Sequence, residues 1–274
     1  MLSEKPWKPL DFLVVMALLS VMFMLSVLAS LMEQGAAGSE VAANPTVTFV
    51  FYTCFYGVIV AFIHLMVRGR GASWGAAFGF NSTRKTSAVL MAMGATLVVL
   101  PIASLLSQLS AELMMKLHAQ PVAQQSVQML QNTVAVAPQI YLAIQAIILA
   151  PIIEELLFRG VLYPALKQQG YPKLALWGTS MFFGAMHVNM MLLAPLTFLG
   201  LMLVWLYERT NNLAAPIFAH SFFNLVNFVW AVTGPSSSDW KVGIGSAVVG
   251  ITILIRQGRS ARGAKSPEIA DCNE

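Results

Sequence analysis

Charge is what this chain has least of. Of its 274 residues only 10% are Asp, Glu, Lys or Arg, while 57% are hydrophobic, against about 25% charged in an ordinary soluble domain. A globule surrounded by water is thereby excluded. Cysteine is almost as scarce: Cys54 lies in an apolar run and Cys272 in a polar end. No disulfide framework and no Cys/His zinc cluster follows from two such residues, and redox chemistry is not expected. Cys272 stands third from the end, which does not fit a prenylation box, where the Cys is fourth. Basic and aromatic residues are not interleaved as they are in nucleic-acid binders. Internal repeats and matched broken helices, the marks of many carriers, are also missing.

Long apolar runs fill the remainder. They fall at about 11–32, 46–67, 88–110, 140–158, 174–193 and 213–233, with shorter ones at 195–208 and 242–255; a helix needs roughly 17 to 25 residues to cross a bilayer. The first follows Lys5 and Lys8, yet its apolar core of about 20 residues exceeds the roughly 7 to 15 of a cleaved signal, so it reads as an uncleaved anchor. If all eight runs cross, 14 Lys and Arg lie on one side and only Lys116 and Lys241 on the other. The positive-inside rule then puts both termini in the cytoplasm. The expected fold is an all-α polytopic membrane bundle of about eight helices: one transmembrane domain over 1–256 and a disordered polar tail over 257–274.

Between the runs, 69–87 is a Gly-rich cytoplasmic loop whose Trp74, Phe78 and Phe80 are expected in the headgroup region. The Gln-rich stretch within 111–139 reads as an interfacial connector. His64, four residues before Arg68, reads as an interfacial histidine.

Ionisable groups inside such runs cost about 2.5 to 3.5 kcal/mol each on insertion scales, so each is a functional candidate. Glu154, Glu155, His187 and His220 stand out, with Asn224 beside them. Glu155 and Arg159, four apart, share a helix face and form a natural ion pair, whereas Glu154 points with Pro151 and Phe158 toward another. Glu154 is then free to face a cavity, where Pro151 bends the helix by failing to donate to the Ile147 carbonyl. The plainer reading is that both acids end the helix against Arg159 and Lys167. Gly170 and Pro172 mark the turn to the next run. Glu154 and His187 lie about 16 residues either side of it, so they are expected level, roughly 20 to 25 Å from the turn. His220 and Asn224 are one turn apart on one face, as donors suited to developing negative charge or to plain interhelical hydrogen bonds. Asn227 and Asn189 read as structural.

These residues spell three motifs: "EELLFR" fits E-E-x-x-x-R, "FGAMH" fits F-x-x-x-H and "HSFFN" fits H-x-x-x-N. In that order, over about residues 145 to 230, the chain resembles the CAAX prenyl endopeptidase and bacteriocin-processing (CPBP, Abi) family of intramembrane glutamate proteases. The resemblance implies a catalytic core over about 140–233 that hydrolyses a peptide bond of a membrane-associated protein or peptide. Glu154 with His187 would activate a water, His220 and Asn224 would stabilise the oxyanion, and Glu155 with Arg159 would support the site. It implies no cofactor and no metal, although one Glu and two His can form a zinc site and the sequence alone leaves that open. The short loops suit the cytoplasmic membrane of a prokaryote. Two rival readings are a non-catalytic bacteriocin-immunity or partner-binding protein of the same fold, and a proton-coupled carrier.

Overall fold

A computed structural model describes residues 2–35, 45–81, 85–122, 124–132, 135–233 and 239–263. The described residues form helices joined by short turns, without a strand. Helix α1 (Pro9–Gly35) begins where Asp11 reaches back to the Lys8 amide at 2.7 Å, a capping-box contact. Asp11 is also fixed by Arg70 at 2.5 Å, which ties α1 to the end of α2 (Pro45–Gly69). Along α2, Ile59, Ile63 and Val67 recur at helical spacing and are buried, while Val58 and Leu65 point outward. Such exposed apolar faces suit a lipid surrounding.

The Gly-rich loop folds into one short helix, α3 (Trp74–Phe78), which opens on the Ser73 side chain and closes on Gly79. Phe78 is wholly buried against Trp7 and Trp74, so it belongs to the core and not to the headgroup layer. His64 accepts a 3.0 Å hydrogen bond from the Trp74 indole and is exposed.

Helix α4 (Lys85–Lys116) is central, with small residues (Ala88, Ala92, Ala95, Ala103) buried along one stripe. After it come α5 (Gln125–Asn132) in the expected connector, α6 (Val136–Gln168), α7 (Pro172–Ala185), α8 (Met190–Thr210), α9 (Ala214–Thr233) and α10 (Asp239–Gly263). Helices α8, α9 and α10 each pack on α4, α8 also meets α9, and α7 lies against α8.

Among the described residues, five helices are long and apolar enough to cross a membrane: Phe49–Gly69, Thr86–Lys116, Val136–Gln168, Met190–Thr210 and Ala214–Thr233. Within α1 and α10, Pro9–Met24 and Gly245–Gln257 are further apolar helical stretches. The run 174–193 is not one helix. It breaks after Ala185, because Asn189 accepts hydrogen bonds from the amides of Met191 (3.0 Å) and Leu192 (3.3 Å) and starts α8 there. Helix α7 therefore has 14 residues, about 21 Å, short of a roughly 30 Å hydrocarbon core. The run 195–208, marginal by sequence, is the body of the full-length helix α8. At the other end α10 continues through Gly263, beyond the residue 256 expected to close the membrane domain; residues 264–274 lie outside the described residues.

Candidate active site

Helix α6 carries the glutamates, and it is not a uniform α-helix. Wider π-helical turns occupy Gln145–Leu149 and Leu156–Leu162, with α-helix at Ala150–Glu155 between them. Such insertions recur at functional sites because they re-aim side chains. In the first π turn the Ala150 amide donates to the Gln145 carbonyl, five residues back. Continuing that pattern, residue 151 would donate to Ala146, but Pro151 has no N–H. The Asn224 amide supplies the missing donor, at 2.8 Å from the Ala146 oxygen. Farther along, Pro164 cannot donate to the carbonyl four residues back, and the Trp7 indole fills that place on Gly160 at 2.6 Å. Each proline thus frees a carbonyl, and a side chain from another part of the chain secures it.

Between these two fastenings sits the charge. Glu155 is fully buried, and its Oε1 accepts from Arg159 Nη1 at 2.7 Å and from His220 Nδ1 at 3.0 Å. The expected Glu155–Arg159 pair is present, with His220 as a third member. Arg159, 1% exposed, also donates to the Gly200 carbonyl at 3.1 Å and lies 4.5 Å over the Phe183 ring. Several interactions hold this guanidinium in an apolar interior, which a buried cation requires. The Glu154 side chain keeps 20% exposure, and the nearest cationic candidate is His220 Nε2, 3.8 Å from Glu154 Oε2. That oxygen has no hydrogen-bond partner. The two acids therefore differ in exposure and in partners: Glu155 holds Arg159 and His220 on Oε1, its Oε2 being buried and unpartnered like that of Glu154, while Glu154 alone keeps part of its side chain exposed.

His187 lies in the turn after α7, half-buried, not inside a continuous span. Its Nδ1 contacts the Phe183 carbonyl at 2.9 Å. A carbonyl only accepts, so Nδ1 carries the hydrogen and Nε2 is left as the free acceptor, the tautomer a general base uses. No hydrogen bond or ion pair joins His187 to Glu154; the imidazole that faces Glu154 belongs to His220. What brings the two histidines together is Phe183, whose ring meets His187 at 5.2 Å and His220 at 5.5 Å between centroids, both edge-on. Asn224 reaches α6, where one amide hydrogen is engaged by the Ala146 carbonyl. Asn227 bonds the Phe223 carbonyl of its own helix and Asn189 caps α8, so both are structural. Among the described residues, no group of three or more His, Cys, Asp or Glu has the arrangement of a metal site.

Two residues of this neighbourhood escape sequence reading. Tyr56 of α2 and Gln145 of α6 lie in the neighbourhood of Glu154, where α2 packs on the first π turn and on the glutamate turn. Gln145, one amide inside an apolar run, was a usable signal; Tyr56, among many aromatics, was not.

Apolar helices long enough to span, with a buried carboxylate pair, a buried arginine and two imidazoles at one aromatic ring, define a polytopic helical membrane protein with a polar site in its interior. Residues 136–226, from α6 into α9, match the family model described as type II CAAX prenyl endopeptidase Rce1-like. A stretch of 77 residues is 35% identical to the protein named "Putative membrane peptidase YdiL" of Bacillus subtilis (strain 168). That alignment covers 28% of this chain and 32% of the relative. No solved structure matches the chain.

Proposed function

We propose that the protein is an intramembrane endopeptidase of glutamate type, cutting a peptide bond in a membrane-associated protein or peptide by direct attack of water. The observation that carries this reading is the difference in partners within the pair: Glu155, fully buried, accepts from Arg159 and His220 through Oε1, whereas Glu154 keeps 20% of its side chain exposed and meets only His220 Nε2, 3.8 Å from its Oε2. In the proposed reaction Glu154 takes a proton from the water as its oxygen adds to the peptide carbonyl carbon. The tetrahedral oxyanion is stabilised by donors aimed at it. The second amide hydrogen of Asn224 is suited to that task, and His220 Nε2 joins it when both ring nitrogens carry a hydrogen, since Nδ1 already donates to Glu155. Collapse of the intermediate breaks the C–N bond, and the proton held by Glu154 passes to the leaving amine. His187, with Nε2 as free acceptor, assists at the first proton transfer. No Ser or Cys stands in a nucleophile arrangement, so an acyl-enzyme is not invoked. The site would be reached from the cytoplasmic membrane of a prokaryote, with both termini cytoplasmic.

A non-catalytic, partner-binding protein of the same fold is the second reading, and Asn224 favours it, since its recorded hydrogen bond goes to the backbone of α6. Comparison of membrane peptides from cells carrying wild type and Glu154→Gln separates the two. The peptidase reading expects uncleaved substrates to accumulate in the variant, and identical peptide profiles would leave the binding reading in its place.

A further inference from the structure

Residues 2–8 lie outside every motif and outside the segment that matches the family model, yet they run as a strap across the ends of α6 and α8. The Leu2 amide donates to Glu208 Oε2 at 3.0 Å, and the Ser3 hydroxyl donates to Asn211 Oδ1 at 2.9 Å. Lys5 and Gln168 bond in both directions: the Lys5 amide donates to Gln168 Oε1 at 3.1 Å, and Gln168 Nε2 donates to the Lys5 carbonyl at 2.9 Å. Glu208 is itself held by the Tyr163 hydroxyl at 2.8 Å and by Lys167. The strap ends on Trp7, 6% exposed, whose ring packs on Phe78 at 5.7 Å between centroids. Its indole reaches the Gly160 carbonyl at 2.6 Å, and Gly160 directly follows Arg159 in the second π turn.

We infer that Trp7 is a positioning residue of the active site: by bonding the Gly160 carbonyl it holds the second π turn in the form that sets Arg159 against Glu155, and through Glu155 it sets the His220 imidazole. This rests on the peptidase reading above. A π turn is a rare backbone form, and the carbonyl that Pro164 leaves open has no donor within the helix. Without the indole the turn is free to rearrange, and Arg159 moves with it. The guanidinium has little room to follow: Nη1 bonds Glu155 Oε1 at 2.7 Å and Nη2 bonds the Gly200 carbonyl at 3.1 Å. Glu155 Oε1 also accepts from His220 Nδ1 at 3.0 Å. One oxygen thus serves both cations, so a displaced guanidinium alters the bond that orients the imidazole. The other nitrogen of that ring is the one that meets Glu154, at 3.8 Å. Small displacements of this kind cost rate because the reacting groups must already be aligned when substrate binds.

A tryptophan at 7 that only filled space would do so without its N–H, and that is what the test separates. The full chain is reconstituted in liposomes as wild type, Trp7→Phe, Trp7→benzothienylalanine and Glu154→Gln; benzothienylalanine keeps the bicyclic ring with sulfur in place of the N–H. The cleavage probe is a synthetic peptide covering a cut site that disappears in Glu154→Gln membranes. Both Trp7 variants are expected to lower kcat per folded molecule about 10- to 100-fold with KM nearly unchanged. A lower Tm in Trp7→benzothienylalanine with kcat per folded molecule as in wild type would overturn the inference and leave Trp7 as packing alone. A second readout needs no substrate: in protein with isotope-labelled histidine, the Nδ1–H resonance of His220, assigned by its loss in His220→Gln, reports the bond to Glu155. That resonance is expected to shift in Trp7→benzothienylalanine. An unshifted resonance would overturn the role of Trp7 whatever the chain cleaves, whereas a shifted resonance with no cleavage by wild type would count against the peptidase reading alone.

Discussion

Taking one partner away from a buried ion pair costs about 3 to 5 kcal/mol, because the other is left charged and unsolvated. Glu155→Gln does this to Arg159, which is 1% exposed, and also leaves His220 a neutral amide where it had a carboxylate. The expected result is a clear fall in folded yield and in Tm, measured by size-exclusion and thermal unfolding in detergent. Normal yield and Tm with no activity would exchange the roles of the two glutamates. Asn224→Ala leaves the Ala146 carbonyl without a donor inside α6, at a cost of about 1 to 3 kcal/mol. Stability and activity should therefore fall together, and an activity loss with unaltered Tm would assign Asn224 to catalysis alone. The Glu155–Arg159 pair was legible in the sequence because i, i+4 spacing is a local property. The preference of Glu154 for His220 over His187 was not, since it depends on where α7 stops. Helix α7 ends at Ala185, and the Asn189 cap that begins α8 turns the chain beside His187.

Prolines at 151 and 164 govern the next scale. A helix with a missing N–H needs another donor or a break, and here each gap is met by one side chain, Asn224 or Trp7. Pro151→Ala restores an N–H that can close the π turn. It is expected to rotate Gln145 and Ala146 away from their partners and to reduce activity, while the cost of Asn224→Ala on that background shrinks by at least about 0.5 kcal/mol. Strict additivity in the double-mutant cycle would separate the proline from the asparagine. Gly160 shows the tolerance at the other fastening: a Cβ there would lie 2.8 Å from Phe78 Cε1 and 3.3 Å from Leu213 Cδ2. Gly160→Ala should cost about 1 to 3 kcal/mol through overpacking, read as a lower Tm; an unchanged Tm would mean that α3 yields easily. The sequence signals a bend at Pro151, but not the π turn or its donor, because a proline names the bond it lacks and not the group that replaces it.

At the scale of the molecule, composition made an all-helical membrane protein plain, since so few charges leave no other solvent for the exposed apolar faces. Span count was harder to read. Hydropathy alone joins 174–185 to 186–193, and only the Asn189 cap divides them. Close packing was also hidden: at Gly250 of α10 a Cβ would lie 2.5 Å from the Gly94 carbonyl of α4, so the two backbones touch through glycines as interhelical contacts in membranes often do. In the proposed reading one carboxylate of the neighbouring pair belongs to the architecture and the other to chemistry. The most direct test is cleavage of an accumulating membrane peptide by purified wild type beside Glu154→Gln, both reconstituted in liposomes, with Tm recorded on the same samples. The account predicts cleavage by wild type only, at closely similar Tm. Cleavage by Glu154→Gln at the wild-type rate would contradict it.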